Sequence, residues 1–381
     1  MIYLLAFLMN ITTGLLNLAN PLVALERFGA DPLMLGVLGT APALVYALGC
    51  ASSGLWARRF GSRILITTTC LLLIPVFASI FLVRHLSQLL ILAAAASACG
   101  SIFWPAMIRW LGEPGGGGQL GRRVGNYNIA LISGVMAGPL LGGQLIGLDY
   151  RWPYLLAGFL ALIVLVFLVA THPRPGRRVP SLRPEPEDES GVVPVFVYLA
   201  WTANFAAFFA IGICQSLFPA LGKGLPVPLS DGFLGFLVSL LAGGEVLIFL
   251  VLRRSTRWHY CYLPLAAAEL LAVAGLLTLA AAAGDALFTL GFLAVGLAGG
   301  MTYFSSIYYS IHRRERAGQR SGFHESFLGL GVALGPIAGG LVAQWWGLRA
   351  PYLLGAVVFL AVICLQAGLL WGWKARKARA G

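Results

Sequence analysis

The strongest constraint on the fold is a glycine–proline series that this chain contains twice. Each member of the second copy lies 197 residues after its counterpart in the first copy. The pairs are Gly125 and Gly322, Gly134 and Gly331, Gly138 and Gly335, Pro139 and Pro336, Gly142 and Gly339, and Gly143 and Gly340. A little downstream, residues 151–156 (RWPYLL) return as residues 349–354 (RAPYLL). So many coincidences in one register indicate two halves that share a fold.

The composition places both halves in a membrane. Apolar residues make up 59% of the chain and charged residues only 10%, which is far from the composition of a soluble domain. Lipid cannot satisfy the backbone of an open strand, so the spanning segments must be helices. We predict an all-α membrane protein with twelve transmembrane helices. Each span is long enough to cross ~30 Å of hydrocarbon. The spans are 2–26, 34–56, 64–83, 89–111, 124–147, 152–171, 192–221, 232–252, 263–283, 287–311, 323–346 and 352–373.

The basic residues of the loops predict the orientation. Twenty of the 26 Lys and Arg residues lie in one alternating set of loops together with the tail from Lys374, whereas the opposite set of loops holds five. By the positive-inside rule the first set is cytoplasmic, and so are both termini. We therefore expect an integral protein of the cytoplasmic membrane. The formal charge of +12 is a topology signal in a protein embedded in the lipid bilayer, and we expect no nucleic-acid partner. The chain enters an apolar segment at Ile2 without a basic preamble, so no cleavable signal peptide is expected.

A polar stretch separates the two halves. Residues 172–191 are rich in proline and charge and have no apolar face, which is typical of a linker. The predicted organisation is an N-terminal six-helix bundle (1–171), a cytoplasmic linker (172–191) and a C-terminal six-helix bundle with a short basic tail (192–381).

The chain resembles the major facilitator superfamily. Twelve spans, a central linker and the internal repeat carry the resemblance, and so do two motifs. Between spans two and three, the segment 54–63 (GLWARRFGSR) is similar to the family's loop signature, with Arg58 where the family usually has Asp. The glycine series is similar to the fifth-helix pattern of drug/proton antiporters. The resemblance implies two six-helix bundles related by pseudo-two-fold symmetry. We expect a monomer without cofactor or metal.

The glycines of each series fall on one helical face. Gly134, Gly138 and Gly142 are four residues apart, which lets a neighbouring helix approach closely, and Pro139 permits a bend. Gly331, Gly335, Gly339 and Pro336 repeat the arrangement. The series is consistent both with static close packing and with a bendable seam that lets the two halves rock.

In the family that the chain resembles, the first, fourth, seventh and tenth helices surround a central cavity. Polar side chains in apolar helices are costly if they face lipid, so they either line this cavity or bond between helices. The candidate cavity residues are Asn10, Thr13, Asn17 and Asn20 in span one, Ser101 and Trp104 in span four, Trp201, Asn204, Phe208 and Gln215 in span seven, and Tyr303, Ser306 and Tyr309 in span ten. Amides and aromatic rings favour an uncharged or amphipathic organic substrate, and a sugar, a drug-like molecule or a lipid-like solute all remain open.

A few ionisable residues lie within the spans of the C-terminal half. A carboxyl group inside a membrane marks a functional site by default, so Glu245 in span eight is the first candidate proton carrier. Its alternative role is a structural ion pair with Arg253, Arg254 or Arg257. Glu269 in span nine is expected to be an ion-pair partner of this kind.

His324 and Glu325 open span eleven and join the candidates for proton coupling. Glu325 has a simpler role available, because a carboxylate in the first turn favours the positive end of a helix. A sharper hypothesis is a gate of reversed polarity between Arg58 and Glu325, with Arg59 and Arg63 in the same loop. Under this hypothesis, Glu325→Gln would favour the inward-open state, measured as cytoplasmic accessibility of nearby thiols.

We expect secondary active transport of a small organic solute by alternating access, coupled to protons and directed outward. Symport or facilitated uptake is the alternative, and a receptor or scaffold without turnover is an alternative of another class. Metal-ligand spacing, a Ser-His-Asp set and a nucleotide loop are not found in the sequence, so we do not expect an enzyme.

Overall fold

The computed structural model describes residues 1–112, 120–171, 195–311 and 317–380. These ranges form α-helices and one short 3-10 helix, Ser79–Leu82, without strands. The helices are α1 (Ile2–Phe28), α2 (Pro32–Phe60), α3 (Ser62–Ala78), α4 (Leu86–Gly112), α5 (Leu120–Ile146), α6 (Trp152–Ala170), α7 (Val195–Lys223), α8 (Asp231–Leu252), α9 (Tyr262–Ala281), α10 (Asp285–Ile311), α11 (Ala317–Trp346) and α12 (Ala350–Ala380). The predicted linker 172–191 lies outside the described residues.

Twelve helices in the described ranges are long and apolar enough to cross a membrane. This confirms the prediction of an all-α protein with twelve transmembrane helices. Glycine ends α1 and α11, where Gly29 (φ 61°) and Gly347 (φ 86°) adopt left-handed backbone that residues with a Cβ rarely adopt. Gly61 (φ 75°) directly precedes α3, whereas Tyr260 (φ 52°), two residues before α9, takes a left-handed conformation with a full side chain.

The helices divide into two compact units. Unit 1 comprises residues 1–30, 41–186 and 226–239, and unit 2 comprises residues 31–40, 187–225 and 240–381. Unit 1 therefore contains α1, α3 to α6 and most of α2, and it also takes in the first half of α8. Unit 2 contains α7 and α9 to α12 together with the second half of α8 and the start of α2.

In unit 1, the first glycine series lies at the contact between α1 and α5. A methyl group built on Gly14 would lie 2.7 Å from the carbonyl oxygen of Val135 and 2.9 Å from Cα of Gly138. A methyl group on Gly138 would lie 2.5 Å from Cα of Gly14. The two backbones therefore touch directly, without side chains between them.

In unit 2, the second glycine series lies at the matching contact between α7 and α11. A methyl group on Gly212 would lie 3.0 Å from Cδ of Pro336, and one on Gly335 would lie 3.0 Å from the carbonyl carbon of Phe209. Gly212 follows Gly14 by 198 residues, so the partner helices of the glycine series repeat as well as the series itself.

The prolines of the two series make equivalent contacts through their backbone. In unit 1 the carbonyl of Pro139 faces Gly235 at the start of α8, and in unit 2 the carbonyl of Pro336 faces Gly36 at the start of α2. Beside the second contact, the hydroxyl of Thr40 donates a hydrogen bond to the carbonyl oxygen of Ala333 (2.6 Å). The equivalent hydroxyl in unit 1, that of Ser239, donates to Gly235 O of its own helix (2.8 Å).

Candidate functional site

A chain of buried hydrogen bonds joins α7, α10 and α11 in unit 2. The indole N–H of Trp201 donates to Oγ of Ser310 (2.9 Å), and this hydroxyl donates to the backbone carbonyl of Ser306 (2.7 Å). The hydroxyl of Ser306 lies 2.7 Å from Nδ1 of His324. Ser306, Ser310 and His324 are fully buried. The fold therefore brings three predicted residues, Trp201, Ser306 and His324, into one polar network.

Aromatic rings surround this network. The ring of Tyr303 lies 6.0 Å from Phe208, 5.8 Å from Phe249 of α8 and 5.1 Å from the imidazole of His324, measured between centroids. These distances are typical of aromatic pairs. The predicted residues Phe208 and Tyr303 thus lie beside His324 and favour an apolar surrounding for it.

His324 faces a carboxylate on its free side. Its Nε2 atom has no hydrogen-bond partner in the described part of the chain and lies 3.9 Å from Oε1 of Glu325, whose side chain is 66% exposed. That distance is too long for a direct hydrogen bond. The pair therefore joins a buried ring to an exposed acid, and a small movement of either would connect them.

Glu245 lies half-buried in α8 beside two glycines of α10. A methyl group on Gly299 would lie 3.4 Å from its Oε1, and one on Gly300 would lie 2.8 Å from its Cα. Its carboxyl has neither a hydrogen bond nor an ion pair with the described residues, so the alternative of a pair with Arg253, Arg254 or Arg257 is absent there. An acidic group without a partner in the described part of the chain is unusual inside an apolar helix.

Glu269 has a partner other than the expected arginine. Its Oε1 accepts a hydrogen bond from Nε2 of Gln366 in α12 (2.7 Å), and both side chains are fully buried. The expected ion pair is therefore replaced by an acid–amide contact. The sequence reasoning missed Gln366, although a lone glutamine in an apolar helix is itself a signal of a polar partner.

In unit 1, the predicted residues of α1 are distributed among its contacts with neighbouring helices. Asn10 is buried with its Cβ against Gly134 of α5, and its Nδ2 has no partner in the described ranges. Thr13 bonds weakly to Met9 of its own helix (3.5 Å), and Asn17 is half-buried. Asn20 accepts a hydrogen bond from the hydroxyl of Tyr154 in α6 (2.9 Å). Asn20 is thus used between helices, as the alternative interpretation expects.

The two predicted residues of α4 lie close together within unit 1. Ser101 is buried and donates to Ala98 of its own helix (2.7 Å), and its Oγ occupies the space beside Gly49 of α2. Trp104 is half-buried, with its ring edge-on to Phe103 at 4.9 Å.

Three further predicted residues complete unit 2. Asn204 is fully buried in α7, and both polar atoms of its amide are unpaired in the described chain. Gln215 is half-buried. The hydroxyl of Tyr309 is bonded outside the network: it accepts from the backbone N–H of Tyr260 (2.9 Å) and donates to the carbonyl of Trp258 (3.3 Å). Tyr309 therefore holds the loop between α8 and α9.

The predicted gate residues of unit 1 are only partly described. The side chain of Arg58 lies outside the described residues, so its pairing with Glu325 stays a prediction. Arg59 is exposed and its guanidinium lies 5.5 Å from the ring centroid of Phe60. Arg63 donates to the carbonyls of Leu168 and Thr171 at the end of α6. Its role there is to cap the negative end of that helix.

The family profile of the Major Facilitator Superfamily matches residues 2–319. The chain belongs to this superfamily. Together with the twelve apolar helices, membership makes it an integral membrane protein.

Two curated relatives match a shorter part of the chain. Both are uncharacterized MFS-type transporters of Mycobacterium tuberculosis, one from strain CDC 1551 / Oshkosh and one from strain H37Rv, and each is 35% identical over 118 residues. The match covers 31% of this chain and 28% of the relative, so the chain spans less than a third of the curated relatives it matches.

Solved structures share the fold across nearly the whole chain. The nucleoside transporter NupG has a TM-score of 0.76 at 12% identity, covering 97% of this chain and 98% of its own. A bacterial homolog of the human lysosomal transporter Spinster has a TM-score of 0.72 at 16% identity, with coverages of 98% and 95%. A structure from work on proton dependent oligopeptide transporters has a TM-score of 0.75 at 11% identity, with coverages of 98% and 97%. At these identities the likeness shows the fold alone.

Proposed function

We propose that this protein is a secondary active transporter that exports a small organic solute across the cytoplasmic membrane by alternating access, in exchange for protons. Both termini and the basic loops face the cytoplasm. Glu245 carries the proton, and the network of Trp201, Ser306 and His324 with the adjacent aromatic rings responds to the solute.

The observation that carries this proposal is the carboxyl group of Glu245, which has no described partner. A structural carboxylate inside a membrane helix is normally balanced by a cation or by hydrogen bonds. Glu245 has neither among the residues that the structure describes, and the glycines opposite leave room beside its Oε1. A group that must both bind and release a proton cannot be held in a permanent ion pair, so the arrangement supports a carrier.

His324 and Glu325 support a second step. The buried Nε2 of His324 and the exposed carboxylate of Glu325 lie at adjacent positions of α11. In the proposed mechanism they pass a proton between the polar network and the exposed side of the helix. Aromatic rings around the network favour an uncharged or amphipathic solute. Because structures of the same fold include a nucleoside transporter and one associated with oligopeptide transporters, nucleosides and short peptides are the first probes, followed by the amphipathic dye ethidium.

Proteoliposomes loaded with a pH-sensitive dye test the proposal. We expect the addition of at least one of these solutes to cause proton movement across the liposome membrane. We also expect an imposed pH gradient to drive the flux of that solute. Glu245→Gln should reduce proton movement at least tenfold. Asp285 is exposed, and Asp285→Asn, which also turns a carboxyl into an amide, should leave proton movement unchanged.

Three results would contradict the proposal at different levels. Proton movement in Glu245→Gln equal to the wild type would remove Glu245 as the carrier. Solute flux indifferent to pH would remove proton coupling and favour facilitated diffusion. Specific binding of a probe without any flux would favour a receptor.

A further inference from the structure

A second acidic site lies in unit 2 at the contact of α9, α12 and α7. Glu269 of α9 is fully buried, and its Oε1 accepts from Nε2 of Gln366 at 2.7 Å. The same amide nitrogen also donates to the carbonyl of Leu199 in α7 (3.1 Å). A longer contact to the hydroxyl of Thr202 (3.4 Å) involves the same nitrogen. These acceptors occupy both N–H groups of the amide, so its carbonyl oxygen is left for some other donor.

Oε2 of Glu269 and Oε1 of Gln366 are both buried and both lack a partner in the described chain. An ionised carboxylate offers only acceptors, so neither oxygen could satisfy the other. One proton on Oε2 would convert it into a donor and could satisfy both oxygens, as in a paired acid and amide.

The groups around Glu269 also favour its protonated form, because none of those described provides a positive charge. On α9 itself the nearest titratable group is Tyr262, two turns away, and on α12 it is Cys364. The part of α7 at the site contributes the Leu199 carbonyl and the Thr202 hydroxyl. Gly275 of α9 lies against Ala294 of antiparallel α10, so Glu269 lies alongside residues 295–302, whose side chains do not titrate. No described ion pair reaches Glu269, and an ionised, fully enclosed carboxylate without a cation is too costly to persist.

We propose that Glu269 is a proton-binding site separate from Glu245, occupied in the folded protein, with its proton on Oε2 donated to Gln366. The site binds H⁺ by the simple equilibrium of a carboxylate with a proton to give a neutral carboxylic acid. Glu269 is enclosed by three helices, and its Oε1 is held by the amide of Gln366. This position makes the bound proton a structural part of unit 2. The proposed transport proton binds Glu245, whereas the proton on Glu269 stays in place.

Infrared difference spectroscopy of the full-length protein in lipid nanodiscs tests this directly. We expect the wild type at neutral pH to show the carbonyl band of a hydrogen-bonded carboxylic acid, and Glu269→Gln to remove it. Glu245→Gln should leave this band in place and serves as the matched control. Gln366→Met, which keeps the volume but removes the amide, should shift the band to higher frequency because the acid loses its acceptor.

Thermal unfolding gives an independent readout. Glu269→Gln puts an amide in the place of the acid, so all hydrogen bonds of the pair can form and the midpoint should equal that of the wild type. Glu269→Leu removes the acid that faces the amide of Gln366, which keeps only its contacts with α7, and should lower the midpoint by several degrees. Preserved transport in Glu269→Gln, with transport lost in Glu245→Gln, would separate this site from the proposed carrier.

Three outcomes would overturn the proposal. A wild-type spectrum at neutral pH that shows only carboxylate bands assignable to Glu269 would mean that Glu269 is ionised and holds no proton. A midpoint that rises with NaCl but not with choline chloride, and loses this dependence in Glu269→Gln, would make the site a sodium site. Glu269→Gln as damaging as Glu269→Leu would show that the negative charge itself is needed.

Discussion

The two copies of the repeat agree in their glycines and differ in their polar groups. Gly14 and Gly138 of unit 1 match Gly212 and Gly335 of unit 2. Gly14 and Gly138 bring two helix backbones into contact with each other, and Gly335 lies against the backbone of Phe209. The carboxyl groups proposed to bind protons, in contrast, are not duplicated: position 128, the counterpart of Glu325, is asparagine. The scaffold is therefore the same in both halves, whereas the groups proposed to bind protons are confined to unit 2.

The same contrast recurs at a smaller scale between α6 and α12. Tyr154 in unit 1 donates to the amide of Asn20. The equivalent Tyr352 in unit 2 faces the ring of Phe218, at 6.2 Å between centroids, and its buried hydroxyl has no partner in the described chain. One half keeps a polar contact where the other has an aromatic one.

The largest expected effect is at the shared scaffold. Gly138→Ala in unit 1 and Gly335→Ala in unit 2 would each push a methyl group into backbone atoms that cannot move aside, and should lower the free energy of unfolding by about 2–3 kcal/mol. The measurement is unfolding in detergent micelles. Gly142→Ala is the matched control, because its methyl group would meet Leu15 at an ordinary 3.5 Å, and alanine should then add up to ~1 kcal/mol through helix propensity. Equal effects at positions 138 and 142 would show that the helices are not in backbone contact.

A smaller effect separates the two tyrosines. Tyr154→Phe should lower the free energy of unfolding by about 1 kcal/mol, since it leaves Asn20 without its donor. Tyr352→Phe removes a hydroxyl that has no described partner and should leave stability unchanged or raise it slightly. Thermal melts of the two variants side by side check the comparison. A loss of stability in Tyr352→Phe as large as that in Tyr154→Phe would mean that the repeat is symmetric here.

The smallest effect concerns the paired hydroxyls at the starts of α2 and α8. Thr40→Val removes a hydrogen bond between two helices and should cost about 0.5–1 kcal/mol. Ser239→Ala removes only a bond within its own helix and should cost close to nothing. The same unfolding assay measures both. Should Ser239→Ala prove the more damaging variant, the assignment of these hydroxyls to different partners would be wrong.

Much of the architecture could be predicted because it depends on composition and repetition. The twelve helices follow from apolar length, and the duplicated glycines mark the helix faces that come into contact. The partner helices could not be predicted from the glycine series, because only the fold shows which backbone each glycine meets. The offset between the two copies also changes, from 197 residues at Gly138 to 198 at Gly14.

The candidate site was less accessible to sequence reasoning, because a side chain in an apolar helix has several possible partners. Glu269 was expected to pair with an arginine, but Gln366 of α12 lies nearer to it in the fold. The gate role of Arg63 stays a prediction, and nothing in the sequence indicates the contact that its guanidinium makes with the carbonyl of Thr171 at the end of α6. Tyr260 adopts the left-handed conformation normally left to glycine, and its ring contacts with Phe196 and Tyr309 explain why a large residue stands there.

The backbone contact between α1 and α5 has a mechanical consequence. With no side chains between Gly14 and Gly138, there are no rotamers to adjust and no soft layer in which the two helices could slide. Helices α1 and α5 should therefore move as one rigid body during any transport cycle. Two spectroscopic labels placed across it would keep a constant separation and act as an internal ruler against which movements elsewhere in the protein can be calibrated.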